Sequence, residues 1–208
     1  DVSSTKFTVV TVDGSGSVIR RYSQPIDRSV ESVPQLTAFA ASLKEKVGEF
    51  ETLGVSVPGL VNRKINRVEY STEFPEHSRV DLAKEISEAA SVTARIDNDA
   101  NAGAFGEFTI GAGKGSTDMF YATLGSGIGG SLIIGGEIWR GGSGFAGEFG
   151  YMAINSDGIR LEDVASSGNI VRRTRSRFHQ DSTSVLSRLD EDEITIAAII
   201  DAAAKEDD

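Results

Sequence analysis

The 208-residue sequence contains no cysteine, which excludes disulfide bridges and thiolate metal sites. It has no apolar run long enough to span a bilayer and no signal peptide, so we expect a cytoplasmic protein without membrane contact. Basic residues are in deficit, because 21 Lys and Arg stand against 31 Asp and Glu, a net charge of −10. An acidic surface disfavours non-specific binding to nucleic acid or to anionic membranes.

Hydrophobic periodicity and turn residues predict strands that alternate with helices. The predicted strands are 7–12, 18–22, 53–57, 92–96, 118–124 and 130–135, and the predicted helices are 34–47, 80–90, 97–108, one from near Leu161, and 194–205. This order indicates an α/β chain with a mixed sheet. The glycine-rich joint at 111–115 is the best candidate for a boundary, so we predict two domains, 1–112 and 113–208.

A glycine-rich turn, TLGSGIGG at residues 123–130, joins two apolar runs. Glycine permits positive φ and lets backbone N–H groups approach a ligand without an intervening Cβ. Successive N–H groups in such a turn form a concavity that suits a phosphate. A plain glycine hairpin is the competing interpretation, since glycine turns between strands are common.

Acidic and amide residues are concentrated at 97–101, Asp-Asn-Asp-Ala-Asn, where a strand hands over to a helix. Helix capping explains one such residue, but four of these five are Asp or Asn. The carboxyl ends of strands are also where open α/β sheets place ligands. Asp99 is therefore a candidate acceptor for the proton of a substrate hydroxyl.

Two further segments carry candidate site residues. Asp1 is followed by small hydroxyl residues, a combination that can hold hydrated Mg²⁺ and a phosphate, although these residues taken alone favour a polar, frayed terminus. Glu148 lies between glycines in the loop 141–150, and Glu162 stands at the start of a predicted helix, where it suits the helix dipole.

Four motifs in order resemble the ROK family (repressor, ORF, kinase), which contains sugar kinases and sugar-responsive repressors. They are GVSVPGLV, DNDANAGAFGE, TLGSGIGGSLIIGGEIWRG and GFAGEFGY. The resemblance covers residues 1–208 and includes both glucokinase-like and NagC/XylR-like members. It implies an actin-like ATPase (RNase H-like) fold, with mixed sheets flanked by helices in two lobes, of which the second is incomplete in this sequence.

The resemblance also implies roles for individual residues. Asp99 would be the general base that takes the proton from the 6-hydroxyl of a sugar. The implied sugar-binding residues are Gly59, Asn98, Asp99, Glu148, Tyr151 and Glu162. The implied cofactor-binding residues, which hold ATP, are Asp1, Thr5, Lys6, Gly125, Ser126, Gly127 and Gly129, and Asp1 would help to place Mg²⁺ through water.

The sequence departs from the family pattern in two segments. The family's first phosphate loop reads D-[IL]-G-G-T-K, and the residues here are DVSSTK, so Ser3 brings a Cβ where the backbone should approach phosphate and take positive φ. The family's structural zinc uses one His and three Cys. Tyr151 stands at the His position and the Cys-bearing segment is missing, so we expect no zinc.

Two functions remain open. One is a sugar kinase that transfers the ATP γ-phosphate to the 6-hydroxyl of a hexose or N-acetylhexosamine, and the intact Asn98–Asp99 pair favours it. The other is the sugar-binding domain of a transcriptional repressor without turnover, which Ser3 and Tyr151 favour. A repressor would contact DNA only through a segment upstream of Asp1, and we expect the parent protein to be longer there. The resemblance further implies a homodimer.

Overall fold

The computed structural model describes residues 1–205, which form two compact units. Unit 1 contains Asp1–Tyr121 and Ser131–Ala146, and unit 2 contains Ala122–Gly130 and the chain from Gly147 onward. The predicted boundary between residues 112 and 113 stays a prediction. The acidic residues 206–208 lie outside the described part of the chain.

Unit 1 contains three pairs of strands. The strands in chain order are β1 (Lys6–Val12), β2 (Val18–Pro25), β3 (Thr52–Val57), β4 (Leu60–Asn62), β5 (Arg67–Tyr70) and β6 (Thr93–Asn98). The pairs β1–β2 and β4–β5 are antiparallel, and β3–β6 is parallel with Val57 opposite Asn98. The predicted hairpin at 7–22 is confirmed, whereas the β4–β5 hairpin was missed because its strands are short and mostly polar at their ends.

Four helices complete the described part of unit 1. They are α1 (Ser32–Ala41), α2 (Leu43–Val47), α3 (Leu82–Ala90) and α4 (Asp99–Ile110). The single helix predicted for 34–47 is wrong, because the chain breaks at Ser42, whose hydroxyl donates to the carbonyl of Phe39. Residues that are 0–5% exposed, including Phe7, Phe39 and Ile86, join the strands and α1–α3 in one hydrophobic core.

Side chains cover the outer edge of β6, where another strand could otherwise pair. The Ser87 hydroxyl accepts from Ala94 N–H, and the Asn66 amide donates to the Ala94 carbonyl and accepts from Ile96 N–H. Arg63 Nη1 donates to the Ile96 carbonyl at 3.0 Å. Asn66 adopts a positive φ of 56°, which Asn tolerates better than most residues. This edge therefore has its backbone hydrogen bonds satisfied locally.

A three-stranded sheet follows along the chain. Its strands are β7 (Met119–Leu124), β8 (Ile128–Ile134) and β9 (Glu137–Ile138), in the order β7-β8-β9. The helices of unit 2 are α5 (Leu161–Ala165), α6 (Ser167–Arg175) and α7 (Ile196–Ala203). The helix predicted from Leu161 breaks at the buried Ser166, which is extended with ψ of 150°. Within residues 1–205, no helix combines the length and apolarity that a membrane crossing requires.

Candidate functional site

The junction of β6 and α4 holds Asn98 and Asp99 at the carboxyl end of the parallel β3–β6 pair. Asn98 is the N-cap of α4, and its side-chain oxygen accepts from Asn101 N–H at 3.0 Å. Its Nδ2 donates to the carbonyl of Gly59 at 3.0 Å and to Asp99 Oδ1 at 3.1 Å. One amide side chain thus caps the helix, fixes the neighbouring carboxylate and ties both to Gly59.

Any residue other than glycine at position 59 would strain the backbone. Its φ is +117°, in the region that L side chains rarely adopt, and an added Cβ would collide with the carbonyl oxygen of Tyr70. The structure therefore brings together three of the predicted sugar-site residues, Gly59, Asn98 and Asp99, through the hydrogen bonds of Asn98.

The Asp99 carboxyl group lies in a setting suited to accepting a proton. The surrounding protein raises the pKa of Asp99, because burial of the carboxylate outweighs the hydrogen bonds that favour the charged form. Those hydrogen bonds come from Ala100 N–H at 2.9 Å and from Asn98. The residue still has an exposed surface, so a hydroxyl can reach it. A fixed carboxylate with a raised pKa is the usual form of a general base.

Asp97, one residue earlier, makes the most extensive ion pair of unit 1. Arg140 donates to its two oxygens at 2.9 and 2.6 Å, and Arg63 Nε lies 3.5 Å from Oδ2. Asp97 also accepts from Asn98 N–H at 2.9 Å. Asp97 belongs to the polar cluster predicted at 97–101, but both of its arginine partners were missed, because nothing local marks partners 34 and 43 residues away.

Asn101, the last residue of that cluster, is buried and accepts a hydrogen bond from the Ser131 hydroxyl at 2.7 Å. The polar cluster at 97–101 therefore serves three purposes. Asp97 and Asn101 anchor the strand and helix, Asn98 caps the helix, and the Asp99 carboxylate stays accessible.

The first loop is a tight turn closed by Ser3. Ser3 N–H and its hydroxyl both donate to the Lys6 carbonyl, and Lys6 N–H donates back to the Ser3 hydroxyl. Ser3 does not take positive φ, since Asn66 and Ser91 are the only non-glycine residues among 1–205 that do so. The expected strain at Ser3 is therefore absent. Thr5 and Lys6 are exposed, and the Asp1 carboxylate accepts from the Ser56 hydroxyl at 3.0 Å.

The glycine turn in unit 2 differs from its predicted conformation. Gly125, Gly127 and Gly129 do not adopt positive φ. An added Cβ at position 127 would lie 2.6 Å from Glu162 Oε2, so the Glu162 carboxylate would have to shift. The turn is closed by Gly125 N–H donating to the Gly127 carbonyl and by Gly129 N–H donating to Thr123 Oγ1. Ser126 at its tip is exposed.

Glu162 lies against this turn. Its Oε2 accepts from Ile128 N–H at 2.9 Å, so a carboxylate already occupies one of the backbone donors of the turn. Ser167, the first residue of α6, donates from its N–H and its hydroxyl to the Gly125 carbonyl at 2.9 and 2.7 Å. The start of the helical segment of unit 2 therefore fixes both sides of the turn.

Glu148 precedes a short 3-10 helix, Phe149–Tyr151, of which Tyr151 is the last residue and which packs against the same turn. An added Cβ on Gly130 would collide with the Phe149 ring, and one on Gly150 would collide with the Ile128 carbonyl. Tyr151 is 46% exposed, and the Arg160 guanidinium lies 5.1 Å from its ring centre. These glycines permit close contact between two loops rather than flexibility.

Residues 152–161, where the family carries its zinc segment, form a compact hairpin. Leu161 N–H donates to the Met152 carbonyl at 2.9 Å, and Ile154 N–H donates to the Ile159 carbonyl at 2.8 Å. Among residues 1–205, no group of three or more His, Cys, Asp or Glu side chains is placed to hold a metal.

One protein family matches the chain over its whole length. The profile described as "ROK family" matches residues 1–208. The chain belongs to the ROK family. Its relatives in the family include the glucokinase of Streptomyces coelicolor, 29% identical over 185 residues, which cover 85% of this chain and 58% of that protein. They also include the xylose repressor of Bacillus spizizenii, 40% identical over 106 residues, which cover 51% of this chain and 27% of the repressor.

The solved structure of a ROK family glucokinase from Streptomyces griseus, in complex with glucose and AMPPNP, has the same fold. It superposes with a TM-score of 0.83 and 26% identity, and the match covers 99% of this chain and 70% of the glucokinase chain. The protein therefore has the actin-like ATPase fold of ROK sugar kinases, and the prediction of family and fold is confirmed. The chain spans 58% of the length of the S. coelicolor glucokinase.

Proposed function

We propose that the protein is a sugar kinase that transfers the γ-phosphate of ATP to the 6-hydroxyl of a hexose or an N-acetylhexosamine. The Asp99 carboxylate carries this proposal, since it is held by Asn98 and Ala100 N–H, has a raised pKa and stays accessible. Phosphoryl transfer depends mainly on positioning and charge stabilisation, with one group that orients the nucleophile and accepts its proton.

The remaining roles follow from the chemistry of each side chain. Asn98, already fixed by Gly59, would orient sugar hydroxyls beside Asp99, and Glu148, Tyr151 and Glu162 would contribute further polar contacts to the sugar. The 6-hydroxyl would lose its proton to Asp99 as its oxygen attacks the γ-phosphorus, and ADP would leave.

The phosphate and metal sites are proposed from the two loops. In unit 2 the turn Gly125–Gly129 with Ser126 would bind phosphate of ATP, and in unit 1 Thr5 and Lys6 are the proposed phosphate ligands. The Asp1 carboxylate, held by the Ser56 hydroxyl, fits Mg²⁺, which keeps several waters and uses one or two carboxylates. Mg²⁺ would neutralise phosphate charge. No zinc is required in this proposal.

An ADP-release assay on the parent protein with a panel of aldohexoses and N-acetylhexosamines tests the function. We expect ATP consumption with at least one sugar and a loss of about 10²–10⁴-fold in kcat for Asp99→Asn, the usual contribution of a general base. Sugar affinity, measured by calorimetry, should persist in Asp99→Asn. Asp13→Asn, which changes an exposed turn carboxylate in the first hairpin, is the matched control and should keep full turnover.

The sugar-binding domain of a repressor is the second candidate, favoured by the 40% identity to the xylose repressor over half of the chain. Wild-type protein that binds a sugar but consumes no ATP with any member of the panel would refute the kinase and favour this candidate.

A further inference from the structure

The connection between Tyr151 and α5 is a place where the sequence departs from the family pattern. Structural zinc is held by cysteine and histidine, and the segment 151–163 contains neither residue. The side chains present in this segment therefore do not fit a zinc ion. Other contacts have to fix the position of Glu162, which lies near the end of the segment.

The hairpin at 152–161 has no core that could hold it in place. Two backbone hydrogen bonds close it, and Ala153 stands opposite Arg160 across its strands. Every residue from 151 to 160 is exposed. A two-stranded hairpin without a packed face is at best marginally stable in water. The side-chain contacts at the base of this hairpin therefore decide where it lies.

Arg160 makes those contacts with its guanidinium group. Its Nε and Nη2 donate to the two carboxylate oxygens of Asp163, each at 3.1 Å, and the guanidinium lies over the Tyr151 ring. Its backbone N–H also donates to Asp163 Oδ2 at 3.1 Å. These hydrogen bonds lower the pKa of Asp163, so the pair is charged at neutral pH. A guanidinium suits both partners, since its planar set of donors matches a carboxylate and it also stacks on aromatic rings.

Glu162 follows Arg160 by two residues and links α5 to the glycine turn. Its carbonyl accepts from Ser166 N–H at 3.2 Å and from Asn169 Nδ2 at 2.9 Å. Its Oε2 accepts from Ile128 N–H at 2.9 Å. The helix α5 is only five residues long and contains no buried residue, so its own packing contributes little to the direction of the Glu162 side chain.

We propose that Arg160 is a positioning residue that holds Glu162 against the glycine turn without a metal ion. It acts through the Arg160 clamp, the contacts of its guanidinium with Asp163 and Tyr151, which join the end of the 3-10 helix to the first turn of α5. Without the clamp, the Glu162 carboxylate leaves Ile128 N–H more often, and the start of β8 loses this bond. The effect on catalysis rests on the proposed function, whereas the clamp itself does not.

Amide hydrogen exchange on the parent protein, without nucleotide or sugar, tests the clamp. Arg160→Met removes both contacts of the guanidinium. The side chains of the ion pair are 44% and 41% exposed, so we expect a moderate effect, an increase in the exchange rate at Ile128 of about three- to tenfold. Arg160→Lys keeps the charge but not the paired donors, and should recover part of the loss. Arg173→Met removes the same charge from an exposed position on α6 and is the matched control, which should leave Ile128 unchanged.

Two results of the exchange experiment overturn the proposal. One is faster exchange in Arg160→Met at Leu161 and Ile154, the donors of the hairpin, with Ile128 as in the wild type. Arg160 would then stabilise the hairpin without positioning Glu162. The other is faster exchange at Ile128 in the wild type after dialysis against EDTA, which would show that a metal ion fixes the segment.

Steady-state kinetics with the sugar that supports ATP consumption connect the clamp to the reaction. Arg160→Met should raise the KM values while kcat stays nearly unchanged, because the Asp99 carboxylate is not altered. Faster exchange at Ile128 with unchanged KM values would overturn the positioning role. A wild-type protein that consumes no ATP, but whose Ile128 exchange responds to Arg160→Met, supports the clamp and refutes the kinase alone. Turnover without that response refutes the clamp alone.

Discussion

The ion pair between Asp97 and Arg140 should contribute measurably to stability. Replacing Arg140 with Met removes two hydrogen bonds, of 2.9 and 2.6 Å, from a carboxylate that is 19% exposed. Exposed pairs contribute about 0–1 kcal/mol, whereas breaking a fully buried pair costs about 3–5 kcal/mol. Asp97 keeps Arg63 at 3.5 Å and Asn98 N–H at 2.9 Å, so it is not left unpaired. We therefore expect Arg140→Met to lower the free energy of unfolding by about 2 kcal/mol.

Urea unfolding, followed by the fluorescence of the single tryptophan, Trp139, measures this loss next to the altered residue. The double variant Asp97→Asn with Arg140→Met should be less destabilised than the sum of the single variants, by about 1 kcal/mol. Lys84→Met is the matched control, since its pair with Glu88 spans 3.9 Å and both side chains are about 67% exposed, and it should cost less than about 0.5 kcal/mol. Additivity within about 0.3 kcal/mol would refute the coupling between Asp97 and Arg140.

Three further predictions on stability concern two glycines and the nitrogen of Asp1. Gly59→Ala should lower the free energy of unfolding by about 2 kcal/mol or more, because φ is +117° and the new Cβ would meet the Tyr70 carbonyl. Gly106→Ala, whose Cβ would lie in open space on α4, should raise it by about 0.5–1 kcal/mol. Thermal unfolding compares the two variants. In a chain that begins at Asp1, burial lowers the pKa of the Asp1 ammonium from 8.0 to about 6. The unfolded form of that chain binds more protons between these values, so its stability rises with pH there, by about 1 kcal/mol after allowance for the exposure of Asp1. Acetylation of that nitrogen should abolish the rise in urea unfolding at pH 6 and 8, and an unchanged rise would refute its origin in Asp1.

Local patterns predicted the strands and helices whose residues carry a clear period. The strands β3 and β6, the helix start at Asn98 and Asp99, and the glycine turn were all found in this way, whereas the parallel pairing of β3 with β6 was not predicted. The break at Ser42 was missed because the apolar spacing continues through it, and only the hydroxyl bond to Phe39 marks it.

The parts of the site that sequence could not predict depend on distant partners. Arg140 meets Asp97 across 43 residues, and Ile128 N–H meets Glu162 across 34. The glycines of the turn were predicted to serve positive φ, but Gly127 serves the close approach of Glu162. Sequence shows that a residue is small, while the reason for its size depends on what the fold brings beside it.

The side chains that cover β6 also affect how the protein behaves in concentrated solution. A bare edge strand is a template for pairing with other chains, and proteins usually block it with charges, bulges or proline. Here Asn66 mimics a neighbouring strand by donating and accepting at once, and Arg63 adds a charge beside it. Replacing Asn66 would free the Ala94 carbonyl and the Ile96 N–H for pairing with another chain, so resistance to edge-to-edge association depends on this amide together with Ser87 and Arg63.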